Sequence, residues 1–274
     1  RLPRVILAGL VGATLAVAGA AYQGVFRNPL ADPYLLGVAG GAGLGATIAI
    51  VLGAGGGVVL PVAAFAGGVV AVVVTYSLGG IGSRRSTNTL ILAGVAVAAF
   101  FAAVQTYVQQ RSADTVQEVF TWILGRLGTV GWDEVLGVLP FFVVMAAVLV
   151  AHRRHLDVLA VGEEEAATLG VHVPRVRIVI VLAATLGTAA AVSVSGLIGF
   201  VGIVVPHLLR LLVGPSYRRL VVLSMLAGAT FLIVADLLAR TVVSPAELPI
   251  GVVTAFVGAP FFALVLRTGG RGAS

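Results

Sequence analysis

The run IVIVLAATLGTAAAVSVSGLIGFVGIVVPHLL, residues 178–209, carries no Arg, Asp or Glu and decides the class of fold. A helix crosses the hydrocarbon core of a membrane with about 20 apolar residues. The 32 residues of this run are therefore too many for one span and few for two. The small, polar SVSG at 193–196 is the expected break, and a shorter apolar helix that contains Pro206 should follow it.

The remaining uncharged runs extend the same pattern along the whole chain. Hydrophobic residues make up 59% of the sequence and charged residues 10%, with a mean hydropathy of +1.11. A soluble domain carries about 25% charged residues, so a water-soluble enzyme is excluded. We expect one all-α polytopic membrane domain over residues 1–274. Residues 33–83 hold two spans with a break at 55–57, and together the runs predict nine membrane segments, which lie within 4–27, 33–83, 86–110, 135–151, 178–209, 220–239 and 248–266.

Residue types that are missing or abundant narrow the chemistry. Without Cys the chain has no disulfide, thiolate zinc site or iron–sulfur cluster. Without Lys it has no Walker A loop, so any ATP is bound by another chain. His152 and His155 share a helix face but lack a third ligand, and we expect neither a metal nor a cofactor. Glycine is frequent, and the spacing of Gly37, Gly41 and Gly45 favours close helix packing.

The arginines predict the orientation of the chain and do not form the single patch that nucleic acid requires. If residues 152–177 are cytoplasmic, 12 arginines lie inside and 5 outside, in agreement with the positive-inside rule. Residue 1 is then external, as expected if one helix that precedes it is missing. The outer set is Arg1, Arg4, Arg111, Arg126 and Arg240, and the inner set is Arg27, Arg84, Arg85, Arg153, Arg154, Arg175, Arg177, Arg210, Arg218, Arg219, Arg267 and Arg271.

Two segments between the spans are polar. The external one, residues 111–133, is expected to hold a short helix at 119–124, with Trp122 and Trp132 at the membrane–water interface. The inner one, residues 156–174, begins a helix with three glutamates, which the helix dipole favours, and ends it at Gly170. From these features alone the inner segment is either a docking element or a solvated loop.

Asp236 is the notable carboxylate within a span. Its spacing to Arg240 permits an ion pair along one helix face, although an intramembrane carboxylate is also a functional candidate. An ion-coupled secondary transporter would need more acidic or basic groups within its spans. A passive channel would conduct without ATP and without proton or sodium dependence. The serines of the SVSG break have no matching His–Asp or Lys partner, which argues against an intramembrane protease.

Five stretches of the chain follow one another in a recognisable order. They are RLPRVILAGLVGATLAVAGAAYQGVFRNPLADPYLLGVAGGAGLGA (1–46), ILAGVAVAA (91–99), LAVGEEEAATLGV (159–171), VSVSGLIGFVGIVVPHLLRLLVGPSYRRL (192–220) and ELPIGVVTAFVGAPFFALVLR (247–267). Together they resemble the permease family of ATP-binding-cassette (ABC) importers for ferric siderophores, haem and cobalamin, the type II importers.

The resemblance implies a ten-helix permease fold, here without its first helix, in a bacterial cytoplasmic membrane. The implied partners are two ATPase subunits, a second permease that is identical or paralogous, a periplasmic or lipid-anchored binding protein, and membrane lipid. The permease itself is not an enzyme. The implied cargo is an iron chelate. RNPLADP resembles the iron-chelate and haem branches more than the cobalamin branch, and TWILGRLGTVGW resembles siderophore permeases, so a ferric siderophore is favoured while haem or cobalamin stays open.

The resemblance also implies roles for three groups of residues. Arginines that match contacts to the binding protein are Arg1, Arg4 and Arg240; the alternative for Arg240 is a lipid phosphate. Polar candidates on the translocation path, on the helix at 86–110, are Gln105, Thr106 and Gln109. Residues that match the element docking into the ATPase are Gly162, Glu163, Glu164, Glu165, Ala166, Leu169 and Gly170.

Overall fold

The computed structural model describes residues 1–79, 87–127 and 131–269, and these residues form helices and connecting turns without any strand. Arg84, Arg85 and Arg271, assigned above to the inner side, lie outside this range. The helices are α1 (Leu2–Val25), α2 (Val38–Val51), α3 (Val59–Gly79), α4 (Thr87–Arg111), α5 (Val116–Ile123), α6 (Trp132–Val161), α7 (Glu163–Thr168), α8 (Val173–Ser195), α9 (Val201–Val213), α10 (Tyr217–Thr241) and α11 (Ile250–Gly269).

Six of these helices are long and apolar enough to cross a membrane, namely α1, α3, α4, α6, α8 and α10. Three shorter apolar helices, α2, α9 and α11, lie where the sequence predicts the other segments. The all-α polytopic class is therefore confirmed, and the count of nine membrane segments stays a prediction. We call the predicted cytoplasmic side inner and the opposite side outer.

Helices α1 and α8 form the centre of the bundle. About three quarters of each span is buried, 78% for α1 and 72% for α8, whereas α4 buries 11%. Small residues allow this, because a Cβ added to Gly12 would lie 2.2 Å from the Gly228 carbonyl oxygen of α10. A Cβ added to Gly19 would lie 2.0 Å from the Gly202 carbonyl oxygen of α9. Gly41 and Gly45 make the same kind of contact with α3, as their spacing predicts.

The predicted break in the 178–209 run is confirmed. Helix α8 ends at Ser195, and the shorter helix α9 contains Pro206. A proline inside a helix leaves the carbonyl four residues earlier without its helical donor, here Gly202. The Gln23 side chain of α1 donates to that carbonyl oxygen at 3.2 Å and accepts from Arg210 at 2.7 Å. The Gln23 amide of α1 thus forms hydrogen bonds with α9 at two points.

The segment between α1 and α2 leads into the uncharged run 33–83, which was expected to hold two spans. The first helix of that run, α2, begins at Val38. Asn28 and Asp32 each accept the amide two residues ahead, so these side chains stabilise turns in place of a helix. The hydroxyl of Tyr34 then donates to the Ile198 carbonyl at 2.9 Å, which attaches the segment to the α8–α9 connection.

Two further expectations change at the polar segments. Helix α6 has 30 residues, about 45 Å at 1.5 Å per residue, and so it is longer than a membrane core of about 30 Å is thick. The inner segment predicted at 156–174 therefore begins within the last turns of α6. In the outer segment Trp122 is not interfacial: it is 5% exposed and packs with α2 and α8, whereas Trp132 is half exposed.

Candidate functional site

Helix α7 is the short inner helix that the glutamates predict. The Gly170 amide donates to Ala167 and the Val171 amide to Ala166, with Gly170 at φ +80°, so the helix ends in the expected glycine turn. Ala166 is fully buried and packs into the main core, which fixes one face of α7 on the bundle. Gly162 is also buried, and a Cβ there would collide with the Glu165 carboxylate.

The opposite face of α7 is open. Glu164 and Glu165 are exposed, and Leu169, which follows the helix, is 70% exposed. Val161, just before the helix, is exposed to the same extent. An apolar side chain on either side of two carboxylates offers a partner both contact area and charge, which a merely solvated loop does not require.

Glu163 differs from these two carboxylates in its contacts. Its side chain is 44% exposed, and its carboxylate forms an ion pair with Arg177 in the second turn of α8. The predicted group of three glutamates therefore divides into one residue that is paired within the chain and two exposed residues without an ion pair among the described residues. The spacing of 14 residues between Glu163 and Arg177 gave no local signal for the pair.

Four charged side chains meet at the outer ends of α1 and α10, and we call them the outer charge cluster: Arg4, Asp236, Arg240 and Glu247. Arg4 donates to Asp236 from Nε at 3.0 Å and from a terminal nitrogen at 2.8 Å, and also to Glu247 at 3.0 and 3.1 Å. Arg240 lies 3.2 Å from Asp236, so the predicted pair is present. Asp236 is 2% exposed and Arg4 13%.

The outer charge cluster separates the three arginines expected to meet a binding protein. Arg1 is exposed and free of any ion pair among the described residues. Arg240 is one quarter exposed. Arg4 is mostly buried, and its guanidinium donates to two carboxylates 232 and 243 residues away. No local pattern links residues this distant, so the sequence did not reveal that Arg4 is internal.

Helix α5 lies over the outer ends of α8 and α11. The Arg126 amide donates to the Ser195 carbonyl at the end of α8 at 2.9 Å. The Leu124 and Gly125 carbonyls accept the Gly251 and Ile250 amides at the start of α11 at 3.0 and 3.2 Å. Backbone groups at two helix ends, which would otherwise lack partners, are thus satisfied by one external segment.

Two of the expected path residues, Gln105 and Gln109, are four residues apart and share one half-buried face of α4, whereas Thr106 is exposed. Gln105 lies against Gly43 of α2, where an added Cβ would be 2.9 Å from the amide oxygen. Thr106 is exposed and bonds back to the Ala102 carbonyl, and Gln109 is half-buried. Two adjoining cavities of about 310 and 250 Å³ lie elsewhere, between α3, α6 and α8, and neither includes these three side chains.

One polar contact on the inner side also escaped sequence reasoning. Asp157, near the end of α6, accepts the Tyr217 amide and the Ser216 hydroxyl, so it caps the start of α10 from another helix. Tyr22 and Thr185 likewise share a buried hydrogen bond that joins α1 to α8.

In the part of the chain that the structure describes, no three His, Asp or Glu residues are grouped as a metal site.

The sequence matches a known transport family over almost its whole length and is similar to known permeases. Residues 1–268 match the model of the FecCD transport family. An uncharacterized ABC transporter permease protein, YvrB of Bacillus subtilis (strain 168), is 45% identical over 99% of this chain and 78% of its own length. The cobalamin import system permease protein BtuC of Halobacterium salinarum is 44% identical over 97% of this chain and 72% of its own.

Iron transport and a solved fold appear among the other similar proteins. The Fe(3+) dicitrate transport system permease protein FecD of Escherichia coli (strain K12) is 41% identical over 97% of this chain and 83% of its own. A solved inward-facing metal-chelate type ABC transporter, described as putative in its title, superposes with a TM-score of 0.91 at 33% identity. It covers 98% of this chain and 86% of the solved one.

Proposed function

Because the chain belongs to the FecCD transport family, it is a permease of a type II ABC importer for iron chelates, haem or cobalamin, and we propose that its cargo is a ferric siderophore. It is a multi-pass protein of the cytoplasmic membrane and a transport component rather than a catalyst. The observation that supports ATP-driven transport is the anchored helix α7, which presents an open acidic and apolar face on the inner side. The cargo proposal rests on the resemblance of the segment TWILGRLGTVGW (121–132) to siderophore permeases.

We assign that face to the ATPase subunits, which supply the Walker A lysine that this chain lacks. Ala166 and Gly170 fix the helix and its end, while Glu164, Glu165 and Leu169 make the contact. ATP binding closes the ATPases, moves α7 and opens the path outward. The second permease, identical or paralogous, completes that path against the exposed face of α4, to which Thr106 belongs.

On the outer side we assign Arg1 and the exposed part of Arg240 to carboxylates of the binding protein. Individual exposed pairs of this kind contribute about 0–1 kcal/mol. Their main effect is to steer association, which depends on ionic strength. Arg4 supports the site indirectly, because it holds Asp236 and Glu247 in place beside Arg240.

Substitution Arg1→Glu should slow association of the binding protein about threefold to tenfold at low salt, with a smaller effect at high salt. The rate is measured by flow of binding protein over permease held in nanodiscs. Arg111→Glu, at another exposed outer position, is the matched control and should change the rate less. Equal effects at both positions, or an effect that ignores salt, would remove Arg1 from the docking site.

Uptake of three labelled cargoes tests the cargo assignment. Proteoliposomes that carry the full-length permease, its ATPase and its binding protein receive iron-labelled ferric siderophore, haem or cobalamin, with ATP on the ATPase side. We expect the ferric siderophore to accumulate and the other two to stay outside. Accumulation of haem or cobalamin alone would keep the importer class and replace the cargo.

An ion-coupled secondary transporter is the rival from a different class. Such a transporter needs a carboxylate that can exchange a proton or bind a cation within the spans. Asp236 is the only charged residue among the described ones that is almost inaccessible to solvent. Two arginines already bond it, so it is held as part of the outer charge cluster. This pairing favours an ATP-driven importer over an ion-coupled transporter.

A further inference from the structure

The contacts of Glu163 set it apart from its two acidic neighbours. Glu164 and Glu165 are exposed, whereas the Glu163 carboxylate turns back to the guanidinium of Arg177 on α8. Although the Glu163 side chain is 44% exposed, its carboxylate is paired within this chain, and its partner lies on a helix long and apolar enough to cross the membrane.

Arg177 depends on Glu163 more than an exposed arginine would. Its side chain is one fifth exposed, and its Nε is buried without a partner among the described atoms. It lies in the second turn of α8. Removal of Glu163 leaves this cation without its ion-pair partner in the described structure.

Helix α8 continues from this pair to the outer side without interruption. It has 23 residues, about 34 Å at 1.5 Å per residue, and its one proline lies at the start. It packs on α1 through the Tyr22–Thr185 hydrogen bond. It packs on α6 at Gly187, where an added Cβ would lie 2.3 Å from the Met145 sulfur. An unbroken helix is one of the rigid elements that can carry coupling between distant sites.

The outer end of α8 is attached as closely as the inner end. Ser195 accepts the Arg126 amide, and a Cβ added to Gly196 would lie 2.1 Å from the Trp122 carbonyl oxygen. Gly196 also has φ +69°, which favours glycine. Through these contacts α8 carries the C-terminal end of α5, which in turn bonds the first amides of α11.

We propose that Glu163 and Arg177 are positioning residues that attach α7 to α8, and that α8 transmits the displacement of α7 to α5 on the outer side. This inference rests on the proposed function, because it assumes that an ATPase moves α7. It adds an internal link to the docking face. Glu164 and Glu165 contact the ATPase, and Glu163 passes the movement on.

The test uses the full transporter in proteoliposomes with three variants of the permease. Glu163→Gln removes the charge with little change of shape, and Glu163→Arg combined with Arg177→Glu restores a pair of reversed polarity. Glu165→Gln is the matched control on the open face. Each sample is measured for ATPase co-purification, ATP hydrolysis and cargo taken up per ATP. Because the chain has no Cys, a spin label at Phe120→Cys reports α5 alone.

We expect Glu163→Gln to keep ATPase binding and hydrolysis but to lose uptake per ATP by about fivefold or more. The label on α5 should then no longer respond to ATP, and the reversed pair should recover both signals. Glu165→Gln should instead weaken ATPase binding. Normal uptake per ATP and a normal label response in Glu163→Gln, or no recovery in the reversed pair, would overturn the inference. Failure of the unaltered transporter to use ATP would instead overturn the proposed function.

Discussion

Substitution Arg4→Met should destabilise the permease by about 3–5 kcal/mol, because it leaves a buried carboxylate short of its main partner. Asp236 is 2% exposed and receives three of its hydrogen bonds from Arg4. Arg240 remains within 3.2 Å, which places the loss toward the lower end of this range. The free energy of unfolding is measured by SDS titration in mixed micelles, followed by tryptophan fluorescence.

Two further variants separate this effect from a simple loss of charge. Glu247→Gln removes another partner of Arg4, but Glu247 is 49% exposed, so the cost should be about 0–1 kcal/mol. Asp236→Asn in the Arg4→Met background removes the uncompensated charge and should recover much of the stability. If Arg4→Met costs no more than Glu247→Gln, the outer charge cluster does not hold α1 to α10.

Substitution Gly12→Ala should destabilise the crossing of α1 and α10 by about 1–3 kcal/mol through overpacking. The added Cβ would lie 2.2 Å from the Gly228 carbonyl oxygen and 2.7 Å from the Leu232 Cβ. A backbone oxygen cannot rotate away, so the two helices must separate along their whole contact. The same SDS titration measures the loss, and cargo uptake should fall with it.

Gly9→Ala in the same helix is the matched control. Its Cβ would find the nearest atom, the Ile233 Cδ1, at 3.5 Å, an ordinary van der Waals distance. Alanine is the better helix former by about 1 kcal/mol, so this variant should be neutral or stabilising. A loss at Gly9 equal to that at Gly12 would contradict close contact as the cause, because helix propensity favours alanine at both positions.

Membrane class and most helix positions could be predicted because an apolar run must be helical in lipid. The break at SVSG and the close packing of Gly41 and Gly45 with α3 follow from local composition. The start of α2 at Val38 did not follow from the uncharged run 33–83, because turns stabilised by Asn28 and Asp32 lead into that run before the helix begins. Local hydropathy does not distinguish the start of a span from uncharged turn residues that precede it.

The sites were harder to predict because their partners are distant in sequence. The inner helix α7 is encoded locally, by glutamates at its start and Gly170 at its end. By contrast, the contacts of Arg4 with Asp236 and of Glu163 with Arg177 depend on how α1, α7, α8 and α10 pack. One signal was available: Pro206 frees the Gly202 carbonyl, which calls for a donor such as Gln23.

We propose that ATP bound by separate subunits drives transport through this permease. The most direct measurement is uptake of iron-labelled ferric siderophore into proteoliposomes that carry the permease and binding protein, with or without the ATPase. ATP is supplied on the ATPase side in one set, and a proton or sodium gradient in another. We predict accumulation only when both the ATPase and ATP are present. Accumulation driven by a proton or sodium gradient without the ATPase would contradict ATP-driven transport.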